Sequence, residues 1–385
     1  MIVLGIESSC DETSAAVVRD GEQLLSVVTN SSMDLHAQYG GVIPEIAARS
    51  HIECINGVIA QALSEAEMTW DEIDAIAVTY GAGLGGSLLI GVLTARTLAI
   101  AYNKPLYAIN HVEGHVYANF LLSAGSNPKL TDYRFPAAPP EFPMLALIVS
   151  GGHSQLVYFE DHFRYTLLGQ TGDDAIGEAF DKVAKMIGLP YPGGPSIGRL
   201  AKEGDPYAYD LPKAKLTETN PEVEALRERL GIMPVLNDKG NPKLRYSYDF
   251  SFSGLKTAVL RLAQQLIGED FSFPSKNLPS RLSEAHKANI AAVFDRVATE
   301  TVVDKTIEAF NEFKPKSVVI AGGVAASPEL RRQLAERLPI PIAYADPRLC
   351  TDNGAMIATL GCFHVKNGRP TADPYSLEIN ANLSM

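Results

Sequence analysis

The chain has 385 residues, 46% hydrophobic and 20% charged, the proportions of an ordinary globular protein too long for one simple core. Two domains or lobes are expected. A net charge of −12 excludes broad affinity for polyanions, so any nucleic-acid contact needs a local basic patch or a partner's surface.

Four cysteines (Cys10, Cys54, Cys350, Cys362) are scattered without CxxC spacing, which suits reduced thiols in a cytoplasmic compartment. The opening M-I-V-L-G-I-E-S-S lacks a basic stretch and reads as a strand rather than a targeting signal. The most apolar window, Leu84 to Ala101, contains Arg96 and several glycines. It reads as a buried helix, and no membrane contact is expected.

Ile2 to Ile6 is an apolar strand ending in the polar turn Glu7-Ser8-Ser9-Cys10-Asp11-Glu12-Thr13. Strands Thr13 to Arg19 and Gln23 to Thr29 follow as a hairpin around Asp20-Gly21. The polar turn's N–H groups and hydroxyls can face a phosphate, and its carboxylates a metal or a proton. After the loop Tyr39 to Pro44, Glu45 to Glu65 has helical apolar spacing. The strand Ile73 to Val78 then enters the Gly-rich turn Tyr80 to Leu88 and a helix to Ala101. These glycines serve either an anion at a helix start or close helix packing, and no Lys-Ser/Thr follows to make a Walker loop.

Pro105 to Ile109 is the next strand. It feeds I-N-H-V-E-G-H-V-Y-A-N-F-L, Ile109 to Leu121, where His111 and His115 are four apart. On a helix that spacing puts two imidazoles on one face, about 6 Å apart at Cβ, where they can share a metal. Asn110 is the expected N-cap and would place the pair in an exposed first turn. Ser123 to Phe142 is rich in Ser, Gly, Asn and Pro and reads as a linker.

Met144 to Ser150, the turn Gly151-Gly152-His153-Ser154 and Gln155 to Phe159 repeat the opening strand, polar turn, strand unit about 140 residues later. That duplication resembles the actin, sugar-kinase and Hsp70 ATPase-like fold, whose nucleotide phosphates lie between two such turns. Thr171 to Lys182 starts a carboxylate-rich helix running to Gly188, before the turn Tyr191-Pro192-Gly193-Gly194-Pro195. Asp174, Glu178 and Asp181 share its face, as a solvated surface or as acceptors for ribose hydroxyls.

Leu211 to Tyr248 reads as a peripheral insertion with a helical run, Pro221 to Leu230, and an N-D-K-G-N-P turn. Asp249 to Thr257, D-F-S-F-S-G-L-K-T, places Lys256 near aromatics, either for base stacking and phosphate or for strand packing with a surface lysine. Ala288 to Phe313 is a long helix. The strand Ser317 to Ile320 enters Ala321 to Ser327, where Gly322 and Gly323 let an adenosine approach the backbone, and the helix Pro328 to Leu338 follows. Cys350-Thr351-Asp352-Asn353-Gly354 opens a last helix, with Asp352 or Asn353 as its cap.

Taken together, GIESSCDET, HAQYGGVIPEIAARSH, HVEGHVYA, LIVSGGHSQL, GEAFDKVAK, YPGGP, DFSFSGLKT, AGGVA and CTDNGAMIA resemble the universal tRNA threonylcarbamoyladenosine transferase family, bacterial TsaD type, once labelled O-sialoglycoprotein endopeptidase. The resemblance runs from Ile2 to about Leu360. It implies a duplicated actin-like (ASKHA, ribonuclease H-like) two-lobe α/β fold with a nucleotide cleft between the lobes. The expected first lobe is 1–125, completed by a helix at about 353–365. The second is 143–352 with an insertion at 211–248, and 366–385 forms a tail. It further implies a metal held by His111, His115 and Asp352, with threonylcarbamoyl-AMP contacting Ile148, Val149, Ser150, Gly151, Gly152, Asp181, Gly194 and Ser327. Three features depart from the family pattern. Ser327 stands where the family has Asn, Ala82 where it has Pro, and the stretches 123–142 and 211–248 are longer.

The chemistry expected on this basis is transfer of threonylcarbamoyl to N6 of adenosine 37 in ANN-decoding tRNA, with AMP leaving. The carbonyl would be polarised by one divalent ion, Fe²⁺ before Zn²⁺. Asp11, and after it Glu12, is the candidate base for the amine proton, a role worth ~10²–10⁴-fold. His153 either bridges to the phosphate or carbamoyl group or is structural. The expected partners are tRNA, a small paralogous actin-like subunit, a P-loop ATPase and an upstream adenylate synthase. A metallopeptidase would need an acid directly after the first histidine, whereas Glu113 is two after His111 and points roughly 160° away. A non-catalytic nucleotide-binding scaffold or an actin-like ATPase would need no histidine pair.

Overall fold

The computed structural model describes residues 1–217, 220–233 and 247–385. The chain divides into two units, Met1–Pro140 with Ala343–Met385, and Glu141–Ile342. The turn expected at 237–242 lies outside the described residues.

In the first unit, β1 (Ile2–Glu7), β2 (Glu12–Arg19) and β3 (Gln23–Ser31) are antiparallel neighbours. After α1 (Pro44–Glu65), β4 (Ala75–Gly81) pairs parallel with β1. After α2 (Gly85–Ala101), β5 (Leu106–Asn110) pairs parallel with β4 and leads directly into α3 (His111–Tyr117). The strand order is therefore third, second, first, fourth, fifth, with Ser123–Ala124 beside β3.

The second unit repeats that order. Its antiparallel strands are β6 (Met144–Val149), β7 (Ser154–Asp161) and β8 (Arg164–Gln170). Helices α4 (Ile176–Ile187), α5 (Gly193–Leu200), α6 (Pro221–Arg229), α7 (Ser253–Leu266) and α8 (Glu284–Phe313) precede β9 (Ser317–Ala321), which is parallel to β6. Then come α9 (Pro328–Arg337) and the short β10 (Ile342–Tyr344), along which the chain leaves the unit. The duplication legible in the sequence is thus a duplicated α/β sheet of the actin-like class.

The last helix, α10 (Gly354–Lys366), belongs to the first unit. β1 is buried on both faces, as a strand between helix layers must be. Leu4 and Ile6 pack towards α1 and α2, while Gly5 faces α10. A Cβ on Gly5 would stand 2.3 Å from the Gly354 carbonyl oxygen and 2.4 Å from the Ala358 nitrogen, so the helix lies directly on the strand.

Several expectations need correction. The second lobe ends at Ile342 rather than 352, and the segment 366–385 is no separate tail, because Arg96 holds its carbonyls against α2. The acidic helix begins at Ile176, leaving Asp173 and Asp174 in the loop before it. Helix α6, expected in a peripheral insertion, buries Val223 and Leu226, and its Arg227 meets Glu312 of α8 at 2.9 and 3.1 Å. No helix among the described residues is long and apolar enough to cross a membrane.

Candidate metal centre

The histidine pair sits where β5 turns into α3. The Asn110 side-chain oxygen accepts the N–H groups of Val112 (2.8 Å) and Glu113 (3.3 Å), so the expected cap is present. The expected exposure is not: His111 and His115 are only 5% and 1% exposed, because α10 covers the short helix.

Asp352 reaches them from just before α10. Asn353, not Asp352, caps that helix by accepting from Ala355 and Met356 N–H, and the aspartate faces the histidines instead. Asp352 Oδ1 lies 3.5 Å from His111 Nε2 and 3.2 Å from His115 Nε2. One ligating atom from each of the three lies within 4.8 Å of the others.

The donor set fits a divalent ion. Among the described residues neither ring nitrogen of the buried His115 makes a hydrogen bond, Nε2 having only its ionic approach to Asp352, an unfavourable state for an imidazole unless a cation takes up a lone pair. Two imidazoles and one carboxylate also leave coordination positions open for a substrate.

Sequence reasoning placed Glu7 in the polar turn but gave it no role of its own; it is the fully buried last residue of β1. Its Oε1 accepts the Ser9 N–H at 2.5 Å, and its Oε2 accepts the Thr79 hydroxyl at 2.6 Å and lies 3.1 Å from His111 Nδ1. This carboxylate stands behind a candidate ligand: an acceptor at Nδ1 favours the proton there and leaves Nε2 towards Asp352. The available signal was an acid ending an otherwise apolar strand. Burial works to raise the Glu7 carboxyl, but the charge and hydrogen bond of His111 win and hold it below the usual range. Burial likewise works against charge on His111, yet Asp352 and Glu7 push its ring up to about 9 in the metal-free protein.

The turn between β1 and β2 carries Asp11, and Glu12 opens β2. Ser32 donates its N–H and its hydroxyl to the Asp11 carbonyl, each at 2.9 Å. His36 lies 3.1 Å from that hydroxyl, and His51 ties Thr13 (2.7 Å) to the Cys10 carbonyl (3.0 Å). Both histidines of the H-A-Q-Y-G-G motif region therefore brace the turn. Burial, Asp352 and Asp11 push Glu12 up to about 10 in the metal-free protein, where its side chain hydrogen-bonds to Asp11. Glu113 is buried away from the histidine face, and burial raises it to about 7 against the opposing charge of Arg369.

The residues expected around an adenylate gather in the second unit at the carboxyl ends of β6 and β9. Ile148 and Val149 are fully buried, backbone included, at the end of β6. Ser150 accepts the His153 N–H on Oγ at 3.1 Å and donates its own N–H to the His153 carbonyl at 2.8 Å. The Gly177 N–H at the start of α4 donates to the Ser150 carbonyl at 3.2 Å. Gly322, at φ 87°, passes so close that a Cβ would stand 2.4 Å from the Val149 oxygen. By contrast, a Cβ on Gly151, Gly152 or Gly194 would meet nothing among the described residues within 4 Å. Asp181 accepts the Gly193 N–H at 2.6 Å, while burial works to raise its carboxyl. The Ser327 hydroxyl caps α9 through Leu330 N–H at 3.4 Å.

The aromatic segment is not a stacking platform. Phe250 and Phe252 are buried, and Lys256 pairs with Asp174, which also meets Lys182 at 2.6 Å. The aromatics pack in the interior, but not as a strand: the segment makes one isolated bridge at Phe250 and enters α7 at Ser253, and Asp174 and Glu178 are partnered by lysines rather than solvated alone.

Fold and site together define a duplicated actin-like α/β protein with a buried His-His-Asp metal-type centre. The family model described as TsaD, tRNA N6-adenosine threonylcarbamoyltransferase, matches residues 23–359. A tRNA N6-adenosine threonylcarbamoyltransferase of Thermomicrobium roseum is 44% identical, covering 100% of this chain and 97% of its own, and one of Desulfitobacterium hafniense is 45% identical over 94% and 91%. Among solved structures, the ROK hexokinase from Thermus thermophilus aligns with 96% of this chain and 100% of its own at 18% identity and a TM-score of 0.44. The chain belongs to the TsaD family of tRNA N6-adenosine threonylcarbamoyltransferases.

Proposed function

We infer that this chain transfers a threonylcarbamoyl group from threonylcarbamoyl-AMP to N6 of adenosine 37 in tRNAs that read ANN codons. One observation carries the reading: His111, His115 and Asp352 converge in a chain that matches the family model over residues 23–359. These three side chains would hold one divalent ion, Fe²⁺ before Zn²⁺. When bound, such an ion supplies Lewis-acid polarisation of a carbonyl.

The remaining work falls to groups of the chain. Glu7 fixes the His111 tautomer, and Glu12 hydrogen-bonds to Asp11 and orients it. Asp11 then takes the N6 proton as the N–C bond forms, while the carbamoyl–phosphate C–O bond breaks and AMP leaves with its electron pair. A positioned carboxylate contributes about 10²–10⁴-fold to such a step. The backbone at 148–152, Asp181, Gly194 and the Ser327 turn bind the adenylate, and His153 reaches its phosphate or carbamoyl group.

A protein of charge −12 needs help to hold tRNA. We assign that help to a small paralogous actin-like subunit and a P-loop ATPase, with an upstream adenylate synthase supplying the donor, all in the cytoplasm. The test is incorporation of labelled threonine into tRNA with these proteins supplied. His111→Ala is expected to abolish it. Full incorporation by that variant overturns the metal-centred reading.

A further inference from the structure

We propose that the segment Asn380–Ser384, anchored through Arg96, is a positioning strap for the His111–His115–Asp352 centre; this rests on reading that centre as a metal site. Arg96 of α2 spends its guanidinium on backbone carbonyls: Nε on Pro374 (2.6 Å), Nη2 on Tyr375 (2.6 Å) and Nη1 on Leu377 (3.2 Å). Leu377 and Ile379 pack against the core of the first unit. Beyond them the backbone runs over the carboxyl ends of β4 and β5. Asn380 N–H donates to the Tyr80 carbonyl (2.7 Å), and Gly83 N–H donates to the Ala381 carbonyl (3.2 Å). Asn110 Nδ2 donates to the Ser384 carbonyl (3.1 Å).

Two of these contacts lead to His111 by separate routes. The first passes through Asn110. Its Oδ1 caps α3, and with Nδ2 held by Ser384 the amide cannot turn its oxygen away from Val112 and Glu113. The second passes through Gly83, where a Cβ would stand 2.6 Å from the Ser9 oxygen. The adjacent Leu84 N–H donates to that oxygen at 2.7 Å. Ser9 Oγ in turn lies 3.1 Å from His111 Nδ1. One segment therefore fixes both the helix start beneath His111 and a partner of the ring nitrogen that faces away from Asp352.

The packing leaves the strap no slack, since a Cβ on Gly81 would stand 2.0 Å from the Asn380 oxygen. Yet Asn380, Ala381, Asn382 and Ser384 are exposed, so the segment buries little and acts through polar contacts rather than as core. A ligand held through such outer partners loses affinity when they go, without the fold being lost.

The experiment uses a chain ending at Ile379, which retains both packed side chains, together with Arg96→Ala and Arg96→Lys in the full chain. Zn²⁺ affinity is read by chelator competition, the site's geometry by the Co²⁺ absorption spectrum, and stability by the melting temperature of the metal-free protein. We expect the shortened chain and Arg96→Ala to bind Zn²⁺ about tenfold more weakly, with an altered Co²⁺ spectrum and a near-unchanged metal-free melting temperature. Arg96→Lys, which keeps the charge but loses the fork of donors, falls between. An unchanged Zn²⁺ affinity and Co²⁺ spectrum in the shortened chain overturns the proposal, as does a loss of affinity that merely tracks unfolding. Failure of the full chain itself to bind Zn²⁺ would instead overturn the metal-site reading.

Discussion

Replacing Glu7 with glutamine keeps the side chain's volume and turns one buried acceptor into a donor. In the native protein Oε2 faces two groups, the Thr79 hydroxyl at 2.6 Å and His111 Nδ1 at 3.1 Å, while Oε1 takes the Ser9 N–H. In Glu7→Gln the amide oxygen still satisfies Ser9, and the Thr79 hydroxyl can rotate to accept. His111 cannot keep Nδ1–H against an NH₂ group, so the ring takes the other tautomer and its proton moves to Nε2, the atom facing Asp352. To ligate, Nε2 must give up that proton with no carboxylate left to hold one on Nδ1. Loss of such an outer partner costs 10–100-fold in metal affinity, about 1.4–2.7 kcal/mol. Chelator competition with Zn²⁺ measures it, and ¹⁵N spectra of the imidazole report the tautomer. Native Zn²⁺ affinity with Nδ1 still protonated would refute the reasoning.

Four further outcomes are expected. Because Asp352 and Glu7 outweigh burial and hold metal-free His111 up to about 9, Zn²⁺ must displace a proton below that pH; its apparent affinity should rise about tenfold per pH unit from 7 to 9 and then level, and a flat profile in stepped-pH competition would contradict this. Burial raises Asp295 from 3.8 to about 7, with Glu329 adding to it, so the folded state resists ionising it. Its cost is absent below about pH 3, grows as pH rises through 4 towards 7, and reaches on the order of 4 kcal/mol. Asp295→Asn should thus raise the melting temperature at pH 8 and leave it unchanged at about pH 3. Asp173 accepts Phe252 N–H at 2.9 Å and the Ser251 hydroxyl at 2.6 Å ahead of α7, so Asp173→Ala should lose about 1–2 kcal/mol in urea unfolding. Gly5→Ala forces a Cβ to within 2.3 Å of α10 backbone and should cost about 3 kcal/mol or more, read as a lowered unfolding midpoint.

What the sequence by itself determined is what local periodicity and turn chemistry can encode. The repeated strand, polar turn, strand unit, the four-residue histidine spacing and the Asn110 cap are properties of neighbours in the chain, and each appears as read. From the residues alone the site was only a pair of histidines, and the family resemblance supplied Asp352. Tertiary structure decided the rest. Asp352 meets the pair because α10, packed on β1 through Gly5 and Gly354, returns the end of the chain to its start. Glu7 became visible only as the partner of a residue far along the chain, across two strands whose register no local signal specifies. The same holds for Phe250 and Phe252, whose pattern fits a nucleic-acid surface equally well until burial removes them from solvent. Side-chain spacing tells which residues share a face, but only packing of helices on sheets tells what that face meets.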